Sequence, residues 1–184
     1  MKIKFTVFFL FIIINSIFSQ QLVDLDKKNG FKQFSLRSSP EQINNIEKIE
    51  NQYSKNPLIK EYRYIGDDIK AIFNVDIKEI KLNFFKNKLF SLTIEFGDEN
   101  REFNDEDYKL ISYALMETYG KVIKNAKTDE NILKGSAWIG EKVILELVKL
   151  FYVEKRVEPN FNYIKGYIAI YDIGLTKEMH QSNF

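Results

Sequence analysis

Short runs of alternating apolar and polar residues constrain the fold of this chain more than any other feature of its sequence. The clearest run spans residues 90–96, where phenylalanine, leucine and isoleucine alternate with serine, threonine and glutamate. Because successive side chains of a strand point to opposite faces of a sheet, this period of two predicts a strand with one buried face. Antiparallel sheets commonly bury one face and leave the other in water.

Other segments rich in β-branched and aromatic residues lie between turn residues, as is typical of strands. These predicted strands are residues 31–36, 62–65, 69–77, 80–84, 133–139, 143–153 and 163–171. The alternation shifts between 77 and 80, so we expect a bend or bulge there. Asn87 predicts a turn, because asparagine tolerates the left-handed conformation. Residues 143–153 also fit a helical period, but their β-branched and aromatic content favours a strand.

A first helix is predicted to begin at Ser39. Pro40 suits the first helical position, and Gln42 completes a capping box with Ser39. The apolar residues that follow form one helical stripe and are Ile43, Ile46, Ile49 and Tyr53. We expect this helix to end at Pro57.

A second helix is predicted from Asn104, a good capping residue, to Gly120, a typical terminator. Residues 105–107 are acidic and suit the positive end of the helix dipole. The apolar residues on one face of this helix are Tyr108, Ile111, Leu115 and Tyr119.

The elements follow the order helix, strands, helix, strands, in halves at 30–100 and 104–175. This order predicts an α+β fold: an antiparallel sheet of about six to eight strands with two main helices packed on one face. It also fits two helix-plus-meander repeats. Residues 30–175 form the predicted single domain, with a flexible lead-in at 20–29 and a flexible tail at 176–184.

The order of elements resembles the tandem-repeat fold of β-lactamase-inhibitor-like exported proteins. It is also similar to small exported bacterial proteins with no assigned function. The resemblance covers most of the chain after residue 19 and rests on element order rather than on a motif. It implies a fold and no activity, because fold alone does not carry function.

The N-terminal segment resembles an export signal. Lys2 and Lys4 precede an apolar run at 5–14, and a more polar stretch follows. This pattern predicts a cleavable signal peptide at residues 1–19, which leaves Gln20 as the new N-terminus. The apolar run is shorter than the about 20 residues that cross a bilayer, so we expect no transmembrane segment after cleavage. We therefore expect an exported protein, in the periplasm or outside the cell.

The composition of the chain excludes several kinds of catalytic, metal-binding and nucleic-acid-binding site. The chain has no cysteine, which excludes thiolate nucleophiles, thiolate metal ligands and a lipidated cysteine. The one histidine, His180, lies in the predicted tail, where a catalytic imidazole would not be held in place. Removing Lys2 and Lys4 from the 27 basic residues leaves 25, against 26 acidic residues. Without a basic face, nucleic acid is not an expected partner.

Acidic residues at 67–68 and 98–107 offer carboxylates for catalysis or metal binding. No apolar pocket is evident beside these loops to raise a carboxyl pKa for glycoside hydrolysis. An EF-hand beginning at Asp98 fails, because Phe103 and Lys109 occupy the positions that need glycine and glutamate. We therefore predict no catalytic site, no metal site and no cofactor.

Aromatic residues are the candidate binding residues. Those in or beside predicted strands that we single out are Phe85, Trp138, Tyr167 and Tyr171. Aromatic rings on a sheet face suit contact with a protein or a glycan, because tyrosine and tryptophan bury area and keep a polar tip. Strands also favour aromatic residues for packing, so the same residues fit a core role.

Three functions fit these observations. The first is an exported, non-enzymatic protein that binds another protein or an envelope component through its aromatic sheet face. The alternative is a carrier of an apolar small molecule, enclosed between the curved sheet and its helices. A hydrolase that uses loop carboxylates such as Asp67 or Asp98 ranks third. The sequence indicates no oligomeric state.

Overall fold

A computed structural model of the chain describes residues 25–50, 56–123, 130–154 and 161–182. The predicted signal peptide at residues 1–19 lies outside this part. The strands are β1 (Gly30–Phe31), β2 (Phe34–Ser35), β3 (Ile46–Ile49), β4 (Ile59–Tyr64), β5 (Ala71–Ile72), β6 (Val75–Asp76), β7 (Glu79–Phe85), β8 (Lys88–Phe96), β9 (Ile132–Ile139), β10 (Val143–Glu154) and β11 (Phe161–Asp172). The two longer helices in the described ranges are α1 (Asp105–Tyr119) and α2 (Ile173–Gln181).

Seven strands form one antiparallel sheet in the order β3-β4-β7-β8-β11-β10-β9. The pairs β1–β2 and β5–β6 are separate hairpins. The predicted α+β class is confirmed, with an antiparallel sheet of seven strands and two main helices. Residues 143–153 are a strand, as their composition favoured, and Asn87 lies in a left-handed turn with φ 59°.

One face of the sheet, the inner face, packs against α1. Ile94, Ile168 and Leu145 project from β8, β11 and β10 into this core and are at most 3% exposed. The buried residues of α1 that meet them include Ile111 and Leu115. Burial of each such side chain contributes about 1.5–3 kcal/mol, so this layer is the main source of stability.

The predicted cap of α1 is present. Asn104 accepts hydrogen bonds from the backbone N–H groups of Glu106 and Asp107, and the Asp107 carboxylate accepts one from Asn104. Gly120 ends the helix with φ 80°, a conformation that glycine adopts at little cost. The second predicted helix is therefore confirmed at both ends.

Two lysines of the sheet hold the first turn of α1. The Asp105 carboxylate lies 2.5 Å from Lys149 Nζ and 2.9 Å from Lys134 Nζ. The hydrogen bond from Lys149, followed by that from Lys134, lowers the pKa of Asp105 to about 2. Lys149 is 5% exposed, and Asp105 supplies the partner that a buried ammonium group needs.

The first predicted helix is wrong. Its capping box forms at Ser39 and Gln42, but the helix is a single 3-10 turn over Pro40–Gln42. Asn45 is left-handed, with φ 58°, which asparagine tolerates and a continuing helix does not. Beyond it the chain pairs with β4 as strand β3, and the sheet bonds replace the helical ones. Tyr53 lies outside the described residues.

The predicted strands at 31–36 and 69–77 are each folded into a hairpin. In the second, Phe73 and Asn74 have φ values of 49° and 64° and form the two-residue tip between β5 and β6. Two-residue turns in which both φ values are positive match the twist of antiparallel strands. Alternation alone does not reveal a reversal within so short a run.

Helix α2 was not predicted, since its residues were assigned mostly to the flexible tail. Leu175 packs with Phe85 and Phe90 in a cluster separate from the main core. Phe84 belongs to the main core, so its neighbour Phe85 points to the other side of the sheet, the outer face. Helix α2 therefore packs on the opposite face from α1. Both halves contain a strand meander, and among the described residues only the second begins with a long helix.

Residues 25–29, assigned by sequence to the flexible lead-in, belong to the folded structure. Leu25 is 2% exposed and packs in the main core. The Asp26 carboxylate accepts hydrogen bonds from the backbone N–H groups of Glu141, Lys142 and Val143 at 2.8, 2.9 and 2.9 Å. This one side chain thus fastens the start of the fold to the turn between β9 and β10.

We expect Asp26→Ala to lower the free energy of unfolding by about 1–3 kcal/mol, because three backbone donors lose their acceptor. Urea unfolding followed by circular dichroism measures the change. Asp67→Ala is the matched control, since this exposed carboxylate pairs only at the surface with Lys70. Equal effects of the two substitutions would show that the Asp26 contacts do not stabilise the fold.

Candidate functional site

Two of the four candidate binding residues lie in the interior. Trp138 is fully buried in the main core, where its Nε1–H donates to the carbonyl oxygen of Gly120 at 2.8 Å. Phe85 is fully buried beneath α2. Large aromatic rings contribute much apolar area to a core, and these two fill it. Trp138 and Phe85 are therefore core residues rather than contact residues.

The other two candidates, Tyr167 and Tyr171, lie half-buried on the outer face of β11. Burial, together with the charge of Glu146, raises the pKa of both tyrosines. Farther along the same face, the rings of Tyr152 and Tyr163 lie 5.3 Å apart between centroids. The outer face thus carries a row of tyrosines on β10 and β11.

A ladder of ion pairs crosses the outer face beside these tyrosines. Arg63 contacts Glu79 at 2.5 Å, and Lys81 lies between Glu79 and Glu95 at 3.2 and 2.9 Å. Lys165 completes the ladder on Glu95. Burial raises the pKa of Glu95, but the hydrogen bonds from Lys165 and Lys81 outweigh it and lower the pKa overall. These charges satisfy one another, as suits a sheet face in contact with water.

The carboxylates and the histidine that the sequence offered for catalysis are not brought together. Asp98 pairs with Lys78 at 2.6 Å and accepts hydrogen bonds from the backbone of its own turn. Asp67 pairs with Lys70. His180 is exposed on α2, beside a cavity of about 420 Å³ whose lining contains no carboxylate.

An apolar cleft of about 540 Å³ opens between α1, the inner face of the sheet and the two small hairpins. Leu145, Ile168 and Ile170 form its floor and belong to the main core. Leu115 and Tyr119 of α1 form one wall. A pocket of this volume and lining is typical of sites for small organic ligands.

The hairpins form the remaining walls, with Phe31 from β1 and Ile72 and Phe73 from β5–β6. A side chain at Gly30 would meet the carbonyl oxygen of Phe34 at 2.0 Å, so only glycine lets β1 turn back on β2. Phe73 is 47% exposed at its hairpin tip, and a left-handed φ is rare for a bulky residue. Such an outlier is a reason to look for function at that place.

The sequence interpretation missed every wall residue of this cleft. The alternating runs at 31–36 and 69–77 were each predicted as one strand, and neither run reveals the hairpin that it forms. The usable signals were local: Asn74 follows Phe73, and Asn29 precedes Gly30. Asparagine and glycine favour the backbone conformations that tight turns need.

Asp172 at the end of β11 fastens the cleft wall to the sheet. Its carboxylate accepts hydrogen bonds from Arg37, just after β2, at 2.6 and 3.1 Å, and from the backbone N–H of Leu175 at 2.7 Å. Burial raises the pKa of Asp172, but the bonds from Arg37 and the backbone outweigh it and hold the pKa below its usual range. Hairpin β1–β2 and helix α2 thus depend on the same ionised carboxylate.

Among the residues that the structure describes, no group of three histidine, aspartate or glutamate side chains is placed to hold a metal ion. None of the helices in the described ranges is long and apolar enough to cross a membrane.

We expect Asp172→Asn to lower the free energy of unfolding at pH 7 by about 1–3 kcal/mol. The contribution of the ion pair is limited because the Arg37 side chain is 57% exposed and solvent weakens the pair. A lowered folded pKa means that the stabilisation is present above the ordinary aspartate pKa of about 4 and is lost as the pH falls through the folded pKa. Urea unfolding should therefore show a smaller difference between the two proteins at pH 2 than at pH 7. A difference that is constant with pH would rule out the ion pair as its cause.

Comparison of the chain with protein-family models, with curated proteins and with solved structures finds no match, and the resemblance to β-lactamase-inhibitor-like proteins stays a prediction.

Proposed function

We propose that this protein binds an apolar small molecule in the cleft and acts as a carrier. The observation that supports this function is the composition of the cleft: core side chains form its floor, and apolar side chains of α1 and both hairpins form its walls. Leu145, Ile168 and Ile170 are at most 3% exposed, so little of the floor of the cleft is in contact with water.

The size of the cleft suits a chain-like ligand. Apolar groups gain about 0.8 kcal/mol for each CH₂ moved out of water, so a chain of several carbons supplies useful affinity without a specific polar contact. No arrangement of a nucleophile and a base lies among the lining residues. Retention of a ligand, rather than its conversion, is therefore the function that this chemistry supports.

The outer face of the sheet supports a second candidate, contact with a protein or an envelope component. Tyr167 and Tyr171 remain available for this role on β11, with Ala169 between them on the same face. This face is the weaker of the two sites, because Trp138 and Phe85 lie in the interior and the charges of the ladder already pair with one another.

Replacing either of two alanines by tryptophan separates these functions. Ala71 is exposed and lines the cleft, so Ala71→Trp should place an indole in it and reduce ligand retention by about tenfold or more, equivalent to about 1.4 kcal/mol. Ala169→Trp makes the same change in a strand of the outer face and should leave retention unchanged. Native mass spectrometry of gently purified protein should show an added small-molecule mass that denaturation removes.

A bare protein mass that stays bare after incubation with medium-chain apolar probes would overturn the carrier function. Loss of a bound protein partner in Ala169→Trp, with no effect of Ala71→Trp, would favour the outer face instead. Circular dichroism of both variants checks that each keeps the strand content of the unsubstituted protein.

Phe73 provides an independent test at the mouth of the cleft. Phe73→Asn removes the ring but suits a left-handed backbone, so relief of strain should offset most of the lost apolar contact. We expect the free energy of unfolding to change by less than about 1 kcal/mol while ligand retention falls. Urea unfolding and native mass spectrometry on one preparation measure both quantities. A large loss of stability with unchanged retention would make Phe73 a structural residue only.

A further inference from the structure

Two lysines lie at the mouth of the cleft. Lys28 Nζ is 4.8 Å from the centroid of the Tyr119 ring, and Lys32 Nζ is 5.8 Å from that of Phe31. Both rings line the cleft, so the two ammonium groups sit at the boundary between its apolar lining and water. Lysine suits this place because its methylene stem packs on apolar surface while its charge stays solvated.

One acidic residue, Asp68, lies near Lys32, whose charge helps to lower the pKa of that carboxyl, but the Asp68 carboxylate accepts its hydrogen bonds from Tyr64 and Gln33. The charged residues that line the cleft are Lys28 and Lys32 alone, and neither forms an ion pair within the described part of the chain. On the outer face, by contrast, Lys81 and Lys165 are each paired with a glutamate. In a chain with a formal net charge of only +1, this leaves a local positive field beside an apolar cleft.

The other polar side chains that line the cleft are Thr118 and Tyr119, and neither would repel an anion. The Thr118 hydroxyl donates to the carbonyl oxygen of Ala114 at 2.8 Å, so its proton is already used. Burial raises the pKa of the Tyr119 phenol, which stays protonated at neutral pH and can donate a hydrogen bond. The mouth therefore offers two positive charges and a donor, and these suit an anion.

We infer that the ligand is a single-chain amphiphile whose apolar chain occupies the cleft and whose anionic head group is held by Lys28 and Lys32. This inference rests on the proposed function and names the chemical class of its ligand. A carboxylate and a phosphate monoester share the required chemistry, since both accept charge-assisted hydrogen bonds from ammonium groups. The chain supplies affinity, and the head group sets the orientation of the bound molecule.

Titration calorimetry with three probes of one chain length tests the inference: decanoate, decyl phosphate and decanol. The protein is first freed of bound ligand on a hydrophobic resin. We expect at least one anionic probe to bind about tenfold or more tightly than decanol, equivalent to about 1.4 kcal/mol. In 1 M salt this preference should shrink, because screening weakens exposed charge pairs.

The Lys28→Met/Lys32→Met variant should bind the anionic probes and decanol with similar affinity, since methionine keeps an apolar side chain and removes the charge. The matched control is Lys48→Met/Lys109→Met, which makes the same change in net charge at exposed sites elsewhere. This control should keep the preference for an anion. The difference between decanoate and decyl phosphate then identifies the head group.

Failure of the inference and failure of the proposed function give different results. Equal binding of decanol and both anions, unaffected by the lysine substitutions but reduced by Ala71→Trp, would overturn the anionic head group and retain the carrier. Absence of binding for all three probes would overturn both. Equal loss of anion preference in the two double-lysine variants would show a general effect of charge and overturn the assignment to Lys28 and Lys32.

Discussion

The pairing of β8 with β11 joins the two strand meanders into one sheet, and the other layers depend on this joint. In its register Ile94 lies opposite Ile168, and Leu92 lies opposite Ile170, with all four side chains in the main core. The two strands are distant in sequence, so their pairing requires closure of a long loop before its contacts form. Helix α1 can bury its apolar side only once this continuous inner face exists.

The two faces of the sheet differ in how far they are covered and in how their charges are paired. The inner face is mostly apolar, apart from the lysines that pair with Asp105, and is covered by α1 and the two hairpins. The gap between α1 and the hairpins is the cleft. The outer face is covered by α2 at one end and elsewhere carries tyrosines and the ladder from Arg63 to Lys165. Charges that neutralise each other lie on the solvated face, and unpaired charges lie at the mouth of the cleft. This contrast makes the cleft the stronger candidate for a ligand site.

The strands and α1 could be predicted because their signals are local: period-two alternation near Ile94, and a cap at Asn104. The helix predicted from Ser39 failed although its capping box forms, because pairing with β4 offers the backbone an equivalent set of hydrogen bonds. Helix α2 was missed although Asp172 caps it. A ligand site between the sheet and its helices was one expectation, but the residues of the cleft could not be predicted, since segments far apart in sequence meet there and no local pattern shows that they do. Whether an aromatic residue such as Trp138 faces in or out also depends on tertiary packing.

The order of the strands leaves β3 and β9 as the open edges of the sheet, where unpaired backbone groups could recruit another strand. Strand β3 has only four residues, with Glu47 and Lys48 exposed on it. Strand β9 is longer and more apolar, but Lys134 points inward from it to Asp105. A foreign strand added there would lay its own apolar side chains beside this half-buried, charged lysine. The ion pair that holds the start of α1 thus also protects the sheet from aggregation along its longer edge.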